Sequence, residues 1–130
     1  MIVQDNSPRV RSMTTGATIS RLDRLLAARL EARRADATRR ASEVLSKLRV
    51  MGIEAAVFGS LATGRFKLHS DVDYLVRRLP PELKYRIEGL VDRIMGDIPF
   101  SLVYEDEIRP EILRRALAQL RYEPDLRARA

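Results

Sequence analysis

Apolar residues in the first part of the chain recur every three or four positions, which is typical of a helix with one buried face. These positions are Ile19, Leu22, Leu26, Leu30, Ala37, Ala41, Val44, Leu48 and Met51. Asp23 follows Ser20 by three residues, as in an acidic variant of the capping box that begins many helices. Gly52 supplies a stop. The pattern predicts a long N-terminal helix over residues 19–51.

Three short apolar segments after this helix predict strands, with helices between and after them. The predicted strands are residues 53–58, 72–76 and 99–104. Pro80 and Pro81 open a helix before the third strand, and Pro110 opens the last helix. Its expected buried face consists of Ile112, Leu113, Ala116, Leu117 and Leu120. This order predicts an α/β (α+β) fold, in which a small mixed β-sheet of three or more strands is flanked by helices.

One domain accounts for the 130 residues. Residues 1–17 are polar without periodicity and are expected to be a disordered leader, residues 18–122 form the domain, and the charged residues 123–130 are expected to be a tail. The chain has no cysteine, which excludes disulfides and thiolate metal sites. Because no secretory leader and no apolar run of membrane-spanning length is present, a cytoplasmic location is expected.

The net charge of +6 comes from the first part of the chain. Residues 1–52 carry 11 Lys and Arg against 5 Asp and Glu, whereas residues 53–130 carry 13 of each. A basic helix can bind nucleic acid or an acidic protein, but such faces are usually only solvated. No aromatic residue lies among these arginines to stack on bases, so nucleic-acid binding is not expected.

The N-terminal helix also carries an apolar stripe that lies ahead of the part needed to cover a small sheet. The stripe consists of Leu22, Leu25, Leu26 and Leu30. Because such a stripe is stabilised by burial, it predicts a homo-oligomer or a partner interface.

The candidate chemistry lies between the first two predicted strands. Gly59 and Ser60 end the first strand, and Asp71 and Asp73 stand at the head of the second. Alternate residues of a strand point to one face, so the two carboxylates are expected to converge about 6–7 Å apart along the backbone, a spacing suited to a divalent cation. A tight Gly-Ser turn can offer N–H groups and a hydroxyl to phosphate. We expect these residues to line the deepest polar cleft.

The segment AVFGSLATGRFKLHSDVDYLV, residues 56–76, resembles the signature of the minimal nucleotidyltransferases of the DNA polymerase β-like superfamily. That signature is Gly-Ser, a spacer of ten residues, and Asp-x-Asp. The matching positions are Gly59, Ser60, Gly64, Ser70, Asp71 and Asp73. The resemblance implies a polymerase β-like fold, ATP or another nucleoside triphosphate bound by Gly59 and Ser60, and Mg²⁺ bound by Asp71 and Asp73. Arg65 is near enough in sequence to assist the phosphates.

The chain departs from this family at one position. The family takes a third carboxylate from a later strand, where this sequence has Ser101 beside the expected catalytic pair. Glu105 shares the strand face with Ser101, but four residues of extended chain cover about 13 Å, too far to replace it. Without a third acid to bind metal or accept a proton, nucleotide binding is expected to persist while turnover is impaired.

Three hypotheses follow, and each comes from a different functional class. The first is an enzyme that transfers AMP from Mg-ATP to a hydroxyl of a partner protein. Small stand-alone proteins of this family resemble antitoxins that silence an all-helical HEPN-type toxin in this way. The second is a catalytically impaired relative that acts by binding its partner. The third, a small basic module that binds nucleic acid, has the least support.

Overall fold

The structure is a computed structural model that describes residues 20–129, with side chains through residue 126. Its elements are α1 (Arg21–Val50), β1 (Glu54–Phe58), α2 (Ser60–Thr63), β2 (Val72–Arg77), a 3-10 turn (Pro81–Leu83), α3 (Lys84–Met95), β3 (Phe100–Tyr104), α4 (Pro110–Leu117) and α5 (Glu123–Arg129). The predicted fold class is confirmed, since a three-stranded sheet is flanked by helices. The expected leader, residues 1–17, lies outside the described residues.

The chain divides into two compact units at Glu31 and Ala32. In the described part of the first unit, the hydroxyl of Ser20 accepts a hydrogen bond of 3.0 Å from the Asp23 N–H, as the capping pattern predicts. The leucines of its apolar stripe are largely solvated: Leu22 is 63% exposed, Leu25 53% and Leu26 40%.

In the second unit, the three strands form one mixed sheet in the order β1-β2-β3. β1 pairs with β2 in antiparallel fashion and places Phe58 opposite Asp73. β3 pairs with β2 in parallel fashion and places Ser101 opposite Asp73. Asp73 therefore stands on the central strand with a neighbour on each side.

The two faces of the sheet have different roles, because side chains alternate along each strand. Val72, Tyr74 and Val76 of the central strand point into the main core. Their helical partners in that core include Val44, Leu48, Ile87, Val91 and Met95. Asp73 and Arg77 point to the opposite face. The main core thus fixes the strand, and the other face carries the buried Leu75 between the polar residues Asp73 and Arg77.

The C-terminal elements differ from two sequence predictions. Within α4, Ala116 is buried, but Ile112 and Leu117 are 41% and 39% exposed, so their predicted burial is wrong. The expected charged tail is instead helical, as α5, from Glu123 to Arg129. Leu126 of this helix is buried. α4 therefore stops after two turns, and α5 adds Leu126 to the main core.

Among the described residues, no helix is both long and apolar enough to cross a membrane.

Candidate functional site

The turn after β1 is built around a glycine. Gly59 has φ of 77° and ψ of −149°, a backbone region that only glycine adopts readily. A Cβ atom added there would lie 2.4 Å from the Oδ2 atom of Asp73. Glycine is therefore required twice, once for the backbone conformation and once for the close approach of the carboxylate. Ser60 follows as the first residue of α2.

Asp73 and Asp71 form the acidic part of the site. Asp73 is partly buried on the central strand, and Asp71 is exposed just before that strand begins. Burial raises the pKa of Asp73 above its ordinary value, and the negative charge of Asp71 raises it further. The two carboxylates are thus close enough to repel each other. Neither one has a hydrogen-bond or ion-pair partner among the described residues.

Ser101 lies directly beside this pair. It is in register with Asp73 across the parallel strands β2 and β3, which are about 4.8 Å apart in a sheet, so both side chains point to the same face. A longer acidic side chain at residue 101 would reach toward Asp73. The hydroxyl present there carries no charge.

Residues 38–122 match the family described as nucleotidyltransferase domain. The chain belongs to this family. The match includes the Gly-Ser turn, both aspartates and Ser101. A solved structure described as "Structure of putative minimal nucleotidyltransferase" is similar with a TM-score of 0.52 and 25% sequence identity, over 80% of this chain and 97% of that one. A search of curated proteins gave no match.

The acidic pair of the nucleotidyltransferase domain fits a magnesium ion. The donors are hard carboxylate oxygens, and the repulsion between two anions without a cationic partner would be relieved by a bound cation. Between residues 20 and 126, no group of three or more His, Cys, Asp or Glu side chains is arranged to hold a metal. Mg²⁺ commonly binds through one or two carboxylates together with phosphate and water oxygens, so a two-carboxylate site suits a metal that arrives with a nucleotide.

Glu105 cannot supply the third acid, as the strand spacing predicts. The guanidinium of Arg77 donates two hydrogen bonds, of 3.1 and 2.8 Å, to one oxygen of Glu105. This pair lies at the other end of β2 from Asp73, where Arg77 also contacts Glu54 at 3.5 Å. The Glu105 carboxylate is therefore both distant and paired.

Arg65 lies in the loop between α2 and β2. Arg65 is exposed, and no described side chain pairs with its guanidinium. Its backbone N–H is bonded to the Ser60 carbonyl at 2.9 Å, which closes the loop behind the Gly-Ser turn. Assistance to phosphate by Arg65 stays a prediction.

The contact of Gln119 with the Gly-Ser turn was not predicted from the sequence. The side-chain Oε1 of Gln119 accepts a hydrogen bond of 3.1 Å from the Gly59 N–H, across 60 residues of sequence. A glutamine just beyond a short amphipathic helix carries no signal of such a contact. Only the tertiary structure brings it to the turn.

A cavity of about 440 Å³ lies at the opposite end of β1. It is lined by Leu45, Arg49, Gly52, Ile53, Glu54, Ala55, Tyr122, Glu123 and Pro124. None of the expected site residues lines it, so it does not supply the polar cleft that was expected beside Gly59 and Ser60. The approach of α5 to the start of β1 creates this space, and α5 was not foreseen from the sequence.

Proposed function

We propose that this nucleotidyltransferase domain binds Mg-ATP and transfers AMP to a hydroxyl of a partner protein. The observation that carries the proposal is the close approach of Asp73 to Gly59, with Asp71 beside it. This arrangement supports the proposal because two carboxylates, which could hold a metal ion, lie beside the turn that would hold the phosphates.

The reaction needs few groups from the protein. The acceptor oxygen attacks the α-phosphorus of ATP, the bond from that phosphorus to the bridging oxygen of pyrophosphate breaks, and the acceptor's proton passes to a base. Ser60 would hold the phosphates at the turn that Gly59 shapes, while Asp71 and Asp73 would hold Mg²⁺. When bound, the ion neutralises charge on the phosphates. Asp73 would also orient the bound nucleotide on the face of the sheet away from the main core.

Ser101 favours a second candidate function. A serine hydroxyl neither supplies a negative charge to hold a metal ion nor serves as a base at neutral pH, and Glu105 is engaged by Arg77. A domain with this site would bind nucleotide, turn over slowly, and act on its partner by binding alone. The two candidate functions share the same nucleotide site and differ in the rate at which AMP is transferred.

A substitution at residue 101 separates them. We expect Ser101→Asp to raise the transfer of labelled AMP from ATP by about 10²–10⁴, since this is the usual contribution of a positioned acid or base. Ser101→Asn is the matched control, because asparagine matches aspartate in size but carries no charge. This variant should transfer AMP at the wild-type rate. Rapid transfer by the wild-type protein that is unaffected by Ser101→Asp but abolished by Asp73→Asn would reject the impaired-enzyme alternative.

For the partner, we propose a HEPN-type toxin that this chain would silence as an antitoxin in the cytoplasm. The support is the family resemblance, together with the exposed leucines and the basic excess of the N-terminal segment, which suit a protein surface. Co-expression with the product of a neighbouring HEPN-type reading frame tests it. Co-purification and relief of toxicity are expected, and failure of both would contradict the pairing.

A further inference from the structure

The outer edge of β1 is held by the segment that follows α4. Val57 and Arg121 exchange two backbone hydrogen bonds, of 2.9 and 2.8 Å, in antiparallel fashion. In an antiparallel ladder, the next outward-facing pair along this edge is Gly59 opposite Gln119. The Gly59 N–H does bond to Gln119, but its acceptor is the side-chain Oε1 and not the main chain.

The backbone N–H of Gln119 belongs to the end of α4 and not to the ladder. This N–H donates to the Ala116 carbonyl at 2.9 Å, within the turn that ends α4. The side-chain amide therefore substitutes for a strand carbonyl and extends the ladder by one hydrogen bond, as far as the Gly-Ser turn.

Gly59 is thus fixed from two directions. Gln119 holds its N–H at the outer edge of β1, while Asp73 of the neighbouring strand occupies the space where a side chain of residue 59 would be. Because the Phe58–Gly59 peptide is anchored one residue before α2 begins, the start of α2 is anchored as well. Loss of the Gln119 contact would let the turn move away from the carboxylate.

We infer that Gln119 is a positioning residue, which holds the Gly59-Ser60 turn against Asp73 and so preorganises the phosphate and metal groups. The nucleotide part of this inference rests on the function proposed above. The anchoring of the turn does not, because it concerns contacts within the chain alone.

Three variants test the inference. Gln119→Leu removes the acceptor at similar size, and Gln119→Glu keeps an acceptor of the same reach. Arg121→Ala is the matched control, because among the described residues the side chain of Arg121 bonds only to the Leu120 carbonyl, and its backbone pairing with Val57 remains. Amide hydrogen exchange of Gly59 and Val57 is measured without nucleotide, and Mg-ATP affinity is measured by calorimetry.

We expect Gln119→Leu to speed exchange at Gly59 by about fivefold to tenfold, the effect of one hydrogen bond, while Val57 stays protected. Gln119→Glu should restore the protection of Gly59, and Arg121→Ala should leave it unchanged. Mg-ATP affinity should fall by at least fivefold in Gln119→Leu with little change in Tm, which a purely structural role would not produce.

The outcomes separate the two proposals. Unchanged exchange at Gly59 in Gln119→Leu overturns the anchoring role, whatever the nucleotide affinity. If the wild-type protein binds Mg-ATP, and Gln119→Leu binds it equally well although its Gly59 amide exchanges faster, the positioning role is overturned. If the wild-type protein binds no Mg-ATP while Gly59 responds as expected, the anchoring of the turn is supported and the proposed function fails.

Discussion

At the scale of single residues, Asp73 is the side chain on which most of the site converges. It is partly buried, it repels Asp71, and it lies where a Cβ of residue 59 would be. A carboxylate in such surroundings costs stability in the absence of a cation. The proposed cation would offset this cost.

Gly59→Ala tests the close approach at the turn. The backbone strain alone costs about 1–3 kcal/mol, and the clash with the Asp73 carboxylate adds to it. Gly52→Ala is the matched control, because Gly52 also has positive φ, of 79°, but nothing lies within 4 Å of an added Cβ. In urea unfolding, Gly59→Ala should lose more stability than Gly52→Ala. Equal losses would show that Asp73 does not press on residue 59.

Asp73→Asn should stabilise the protein without metal and remove its response to Mg²⁺. The raised pKa means that the native state holds the Asp73 proton more tightly than the unfolded state does. Its contribution to stability is therefore present at low pH and lost as pH rises through the raised pKa.

Thermal unfolding between pH 3 and pH 8 measures this effect. The Tm difference between Asp73→Asn and wild type should be largest near neutral pH, and it should shrink below the ordinary pKa of aspartate, about 3.9. Addition of Mg²⁺ with ATP should raise the wild-type Tm only. A lower Tm for Asp73→Asn at pH 7 would contradict the assigned cause of the shift.

Sequence reasoning located Gly59, Ser60, Asp71 and Asp73 because the two motifs are local and their strands are short and apolar. It also placed Ser101, since strand periodicity predicts which residue of β3 shares the site face. Gln119 could not be found this way. Its contact depends on how the end of α4 meets the edge of β1, which no local pattern encodes.

At the scale of elements, periodicity predicted α1, the three strands and α3 because each buries a regular set of apolar positions. It failed for α5, in which charged residues dominate and one leucine carries the packing. A helix with a single apolar anchor has no periodic signal to detect. The opposite holds for α4. Its sequence pattern is strongly amphipathic, yet Ile112 and Leu117 on its apolar face are partly exposed.

Leu126→Ala tests whether α5 belongs to the folded domain. Leu126 is 1% exposed, so its truncation should cost about 2–5 kcal/mol of unfolding free energy. Leu117→Ala removes the same atoms from a position that is 39% exposed and should cost clearly less than Leu126→Ala. Equal and small effects would mean that residues 123–129 do not pack as the structure shows.

At the scale of the whole molecule, the unit from Ala32 onward contains the sheet, the core and every candidate site residue. The family match also begins within it, at residue 38. We therefore expect a chain that lacks residues 1–31 to stay folded, with cooperative unfolding and an unchanged response to Mg-ATP. Loss of cooperative unfolding would show that the removed segment is required for the fold.

The exposed leucines give a separate prediction about assembly. Full-length protein should self-associate with rising concentration in light scattering, because Leu22, Leu25 and Leu26 present apolar surface to solvent. Leu22→Ser together with Leu26→Ser should abolish association, whereas Leu117→Ser, at another exposed leucine, should not. If the 130-residue protein stays monomeric at all concentrations, the prediction of self-association is wrong, and the stripe would then have to contact a different protein.

The register of β2 and β3 bears on how proteins of this kind change over time. Position 101 is partly buried beside Asp73, yet no packing of the main core depends on which small side chain stands there. An exchange between serine and aspartate alters the charge of the site and leaves the scaffold as it is. On the proposed function, a lineage built on this fold would move between catalyst and silent binding partner through one residue, keeping its associations while its chemistry is lost or regained.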